Sequence, residues 1–89
     1  RERQGQYFTF FWHTARPAKL TLRLEYRQER LGPYIQAREI DLGEVQGGGR
    51  TEIAVVGDDF LWEGRINSWR AVLIEDGRIV ALHSSALWN

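Results

Sequence analysis

Between residues 19 and 27 apolar and polar side chains alternate without a break: Leu20, Leu22, Leu24 and Tyr26 are interleaved with Lys19, Thr21, Arg23, Glu25 and Arg27. A helix, at about 3.6 residues per turn, would scatter those apolar residues around its circumference; a strand collects them on one face and leaves the other wet. Residues 7–13 carry the same message in their composition. Tyr7, Phe8, Thr9, Phe10, Phe11 and Trp12 are aromatic or β-branched types that fill a pleated surface, with Phe8, Phe10 and Trp12 on one face.

Three further strands follow from the same period. In 34–42, Ile40 and Leu42 alternate with Glu39 and Asp41, and the polar content suits a sheet edge. Thr51, Ile53 and Val55 alternate with Glu52, Ala54 and Val56, and Ile66 opens a strand that runs to Glu75. Turn chemistry separates these runs: Pro17 within 14–18, Gly32-Pro33 closing a charged loop at 28–33, and Gly47-Gly48-Gly49 as a flexible connection. Gly57-Asp58-Asp59 ends a strand, and 60–64 reads as an irregular corner packed by Phe60 or Leu61. Residues 1–6 read as a frayed terminus or a short first strand.

Asp76-Gly77 is the sharpest local signal, because a two-residue type I′ turn needs positive φ at both positions. With Glu75 and Arg78 flanking it, Leu73 is expected opposite Val80, Ala71 opposite Leu82 and Trp69 opposite Ser84; Ile74 faces Ile79, Val72 faces Ala81 and Arg70 faces His83 on the reverse side. The side holding Trp69, Leu73, Val80 and Leu82 carries the larger apolar volume and is assigned to the core. Strands at this spacing, with no helical period, predict one all-β domain over 1–89, an antiparallel sandwich of about six to seven strands.

The order of features resembles a fibronectin type III or related immunoglobulin-like domain. Trp12, then Leu22-Arg23-Leu24-Glu25-Tyr26-Arg27, then Trp69-Arg70-Ala71-Val72 with Gly77 and Ser84 fall in the family's sequence of a Trp-bearing strand, an aliphatic strand ending near Tyr, and a closing hairpin. The position of the family's corner tyrosine falls near Asn67 and Trp69. The resemblance implies a fold and no particular function, since this architecture hosts many.

Composition narrows the function classes. Zero formal net charge supplies no long-range field for nucleic acid or an anionic membrane, and a single-strand binder would need Tyr7 and Phe11 exposed beside Arg. Absence of cysteine removes disulfides, thiolate metal sites and thiol nucleophiles. No apolar run reaches membrane-spanning length. With no Met in the chain, a trimmed start and further domains are expected, and an extracytoplasmic setting, secreted or periplasmic, is favoured.

Candidate chemistry is sparse. His13 and His83 fall on separate strands and lack the further ligands of a zinc site. His83, Ser84, Ser85 and Asp76 hold triad residue types, but adjacent strand residues project to opposite faces and no Gly-x-Ser-x-Gly is present. Asp58, Asp59 and Glu63 form an acidic turn without EF-hand spacing, and Gly47-Gly48-Gly49-Arg50 lacks the Lys-Ser/Thr ending of a phosphate loop. No catalytic, metal or cofactor residues are therefore assigned. The aromatic residues are the feature with functional pull: Trp62 and Trp88 are expected to fold back over the ends of the sandwich, with Trp62, Trp88 and Tyr34 as the residues to contact a ligand or partner if exposed. The expected function is a non-enzymatic interaction or spacer module of a larger protein, contacting a protein partner or neighbouring domains. The rivals are a carbohydrate-binding module and a small enzyme with an unrecognised site.

Overall fold

The computed structural model describes residues 4–88. The chain is all-β, with β1 (Gly5–Gln28), β2 (Gln36–Val56), β3 (Ile66–Glu75) and β4 (Arg78–Ser84) in one antiparallel sheet ordered β2-β1-β3-β4. Of the terminus expected at 1–6, Gly5 and Gln6 belong to β1, while 1–3 lie outside the described residues, as does Asn89.

Two strand pairs expected to be separate are continuous. Residues 7–13 and 19–27 are both parts of β1, and the Gly47-Gly48-Gly49 connection lies within β2, where Gly49 pairs with Trp12 and Gly48 with His13. At Gly49 the ladder needs a glycine, because the indole of Trp12 occupies the space a Cβ there would fill. Trp12 Nε1 donates to Thr51 Oγ1 at 3.0 Å, which holds the ring across the strand.

A straight strand of 24 residues would run roughly 80 Å at the usual rise, yet the longest dimension of the molecule is 41 Å. The β1–β2 hairpin therefore bends. The ladder is interrupted between Thr14 and Ala18, where Thr14 pairs with Gly47 and Ala18 with Val45, so that three residues of β1 oppose Gln46 alone. Pro17, with no N–H to give the ladder, lies in this bulge, and the Thr14 hydroxyl donates to the Arg16 carbonyl at 2.8 Å. Ala18 lies four positions after Thr14, an even step, and both are buried, so the same set of side chains stays inward through the bend. The two halves then share one core: Leu22, Leu24 and Tyr26 of β1 meet Ile53 and Val55 of β2 and Ile66 and Ala71 of β3, with Phe8, Phe10, Ile40, Leu42 and Trp69 packed against them.

The closing hairpin has the expected turn. Asp76 and Gly77 both have positive φ, 49° and 82°, and Glu75 pairs with Arg78. The register expected beyond it is corrected. Ile74 faces Ile79, but an irregularity leaves Val80 without an opposite residue, so Leu73 pairs with Ala81, Val72 with Leu82, Ala71 with His83 and Arg70 with Ser84. Val80 and Leu82 are consequently exposed and outside the core to which they were assigned. A second correction falls at 60–64, where the irregular corner is largely a short helix, α1 (Asp58–Glu63).

Polar contacts fix that helix against the sheet. The Gln28 side chain, fully buried, donates from Nε2 to the carbonyls of Asp59 (3.2 Å) and Gly64 (2.8 Å) and accepts from Gln36 Nε2. Arg38 donates to the Tyr26 hydroxyl, the Ala54 carbonyl and the Asp59 carboxylate, joining both halves of β2 to α1. No helix among the described residues is long and apolar enough to cross a membrane.

Candidate functional site

The three aromatic residues singled out from the sequence are not brought into one site. Trp62 on α1 is 72 % exposed and Tyr34 is 64 % exposed, so Trp62 is not the plug expected over the end of the domain. Trp88 does fold back: its ring lies 4.3 Å from the Arg27 guanidinium carbon and 5.4 Å from that of Arg70, so it packs on cations. Among the described residues no ring contact joins any two of Trp62, Trp88 and Tyr34.

Ser85, Asp76, Asp59 and His83 have structural partners. Ser85 Oγ accepts from the Trp69 amide at 3.0 Å, and Asp76 Oδ1 accepts from the Lys19 amide at 2.9 Å, which ties the closing turn to β1. Asp59 pairs with Arg38, and the ring of His83 stacks on Trp69 at 5.4 Å. No group of three or more His, Asp or Glu among the described residues is arranged to hold a metal ion.

The outer face of the sheet carries a charged cluster. Glu25, with its side chain only 13 % exposed, accepts from Arg23 Nε at 2.9 Å and from Arg70 Nε at 2.7 Å, and Arg23 also reaches Glu39. Burial alone would push the Glu25 carboxyl up, but the hydrogen bonds from Arg23 and Arg70, with their positive charges, outweigh it and hold the group below the usual carboxylate range.

The open feature of the molecule is a slot on its aromatic side. It follows from unequal pairing of β1: residues 20–26 pair with both β2 and β3, whereas 5–14 pair only with β2. β4 lies at the far edge of the sheet. Between these two edges is a cavity of about 550 Å³ lined by Tyr7, Phe8, Thr9, Phe10, Phe11, Trp69 and His83. A smaller one of about 120 Å³ shares Phe10, Phe11 and His83 with it and is floored by Leu22, Ala71 and Leu73. Phe8 and Phe10 stack 6.4 Å apart, and both set their edges against Trp69, at 5.7 and 6.2 Å. No Asp, Glu, Lys or Arg lines either cavity.

The sequence reading placed Phe8, Phe10 and Trp69 in the core and did not separate the slot from it. A signal was present in the composition. Tyr7 and Phe11 make β1 aromatic on its outward face too, and Ile79, Val80 and Leu82 place apolar residues on both faces of β4, unlike the clean alternation at 19–27. No family model matches the chain, and neither a curated protein nor a solved structure matches it.

Proposed function

We propose that this chain is a non-enzymatic interaction module of the immunoglobulin-like sandwich class, and that its contact surface is the aromatic slot between β1 and β4. In the sandwich reading β1 and β2 each supply a strand to both layers. Residues 5–14 and 47–56 form one layer; 36–45, 18–28, β3 and β4 form the other, giving six strands around the shared core. The bend at Pro17 is the crossing between layers.

The observation that carries the functional reading is a large apolar opening that exposes the side of the core. Phe11 is 80 % exposed and Leu82 58 %, and both belong to a lining free of Asp, Glu, Lys and Arg. Contiguous apolar surface of this kind is costly to leave in water and marks places where a protein is contacted. Carbohydrate recognition is the second reading, supported by the exposed indole of Trp62, but a sugar platform needs rings spaced together with oriented polar donors.

Tryptophan fluorescence separates the two. Soluble β-glucan, xylan, chitin and peptidoglycan fragments are expected to leave the emission unchanged, whereas apolar peptides are expected to shift it saturably through Trp69. A saturable glycan response abolished by Trp62→Ala, in a variant that keeps its melting temperature, would overturn the interaction reading.

A further inference from the structure

The walls of the slot are made of consecutive residues. Tyr7 through Phe11 all contribute to the larger cavity, and Ala81, Leu82 and His83 all contribute to the smaller one. Since neighbouring strand residues point to opposite faces, the face of a strand shows only alternate residues. A run of consecutive residues means that the wall is the strand's edge, with its backbone groups turned toward the opening. Among the described residues, 8–13 of β1 have no strand on the side away from β2, and β4 has none on the side away from β3. The slot is thus bounded on both sides by sheet edges of the same chain.

We propose that a single extended polypeptide segment, uncharged and apolar at alternate positions, inserts between β1 and β4 and pairs through its backbone with these edges. This rests on the interaction reading given above and specifies how the partner is held. The edges call for a strand, because an acyl chain or a folded apolar surface would cover the aromatic floor but leave the backbone groups of 8–13 without ladder partners. The floor selects apolar side chains on one face of that strand, where Phe10, Leu22, Ala71 and Leu73 meet them. The lack of charged lining excludes a charged segment, which would be desolvated there without a counterion.

The two-sided boundary also decides against a second copy of this chain offering a sheet edge. A strand still joined to its own sheet on one side cannot enter a space flanked by edges on both sides. The occupant is therefore a free segment. The wall from Tyr7 to Trp12 corresponds to roughly 20 Å of strand, which suits a segment of about six residues. The molecule treats its opposite edge differently. The outward positions of β2 include Glu39, Asp41, Glu44, Arg50 and Glu52, charges of the kind that guard an edge against pairing, whereas β4 has one charged residue, Arg78.

Selection of random seven-residue peptides displayed on phage against the full chain tests this. Enriched peptides are expected to be uncharged, to alternate apolar and polar residues and to lack internal proline. A synthetic peptide of the leading sequence should slow amide exchange in 8–13 and 81–83, and N-methylation of alternate backbone amides should weaken it at least tenfold. Ala81→Asp and Leu82→Asp, both at exposed positions, should weaken it by a similar factor without lowering the melting temperature. Peptides with no alternation, or full binding after N-methylation in either alternate set, would overturn the strand mode while leaving the interaction reading standing. Failure to enrich any peptide would overturn the strand mode as well; only a saturable, Trp62-dependent glycan response would also displace the interaction reading.

Discussion

The two halves of β1 are written in the same alternating pattern and end in different environments. In 18–28 the inward residues Ala18, Leu20, Leu22, Leu24, Tyr26 and Gln28 are all buried, and from Leu20 to Tyr26 β2 and β3 cover both edges. In 5–14 the inward Phe8, Phe10 and Trp12 are only half-buried, and β2 covers one edge. Period-two alternation reports which face turns inward. It does not report whether a neighbour lies beside the strand, because edge pairing is a property of the backbone and leaves no mark on the side-chain pattern.

The most direct way to break this contrast is to cut matched apolar side chains from both halves. Leu24→Ala removes a side chain with no exposed area at the centre of the closed half and is expected to cost about 2–5 kcal/mol. Phe10→Ala is expected to cost less than about 2 kcal/mol despite its larger volume, because part of that ring already lies in water. Urea titrations of the two variants check it. Equal losses would mean that the halves are equally consolidated and that the slot is closed in solution.

The particular residues explain what could be read ahead of the structure. Leu20, Leu22, Leu24 and Tyr26 were legible because each sits on a ladder with two neighbours, where local pattern and tertiary burial agree. Asp76 and Gly77 were legible because their backbone angles are a local demand. Gly49 was not, since the reason for it is the indole of Trp12, which the chain brings alongside only by pairing residues 37 apart. The register of β4 was missed for one residue: a bulge at Val80 shifts the pairing beyond Ile74, and the predicted core residues Val80 and Leu82 lie exposed. The slot was missed because it is formed by an absent pairing, and Phe8, Phe10 and Trp69 look the same in sequence whether the core above them is sealed or open.

Gly49 sharpens the comparison from within the open half. A methyl group there would overlap the Trp12 ring, and moving the ring would break its hydrogen bond to Thr51, so Gly49→Ala is expected to cost about 1–3 kcal/mol. Gly48→Ala should stay within about 0.5 kcal/mol, because its added Cβ would meet nothing closer than the Trp12 carbonyl at 3.5 Å. Thermal melts of the pair measure the difference. Equal melting temperatures would show that the open half yields freely around Trp12, a mobility the closed half should not share.

The smallest expected effect lies on the outer face of the closed half, at Glu25. Arg23 and Arg70 reach it from its own strand and from β3, so the cluster draws on the pairing of β1 with β3, and among the described residues the open half has no counterpart. The two arginines are about a third exposed, with side-chain exposures of 35 % and 38 %, so solvent screens the attraction and Glu25→Gln is expected to cost only about 1 kcal/mol at pH 7. The sign of its pH dependence follows from the lowered carboxyl. A carboxylate whose folded value lies below its unfolded value, about 4.3, contributes its full stabilisation above that value and loses it as the pH falls through the folded one. The gap between wild type and Glu25→Gln in guanidine-free urea titrations should therefore hold steady from pH 7 to about 5 and shrink as the pH falls further, through the lowered folded value. A gap that is constant through that fall would show that the ion cluster does not stabilise the closed half, leaving its burial and two-sided pairing as the whole of the difference from the open one.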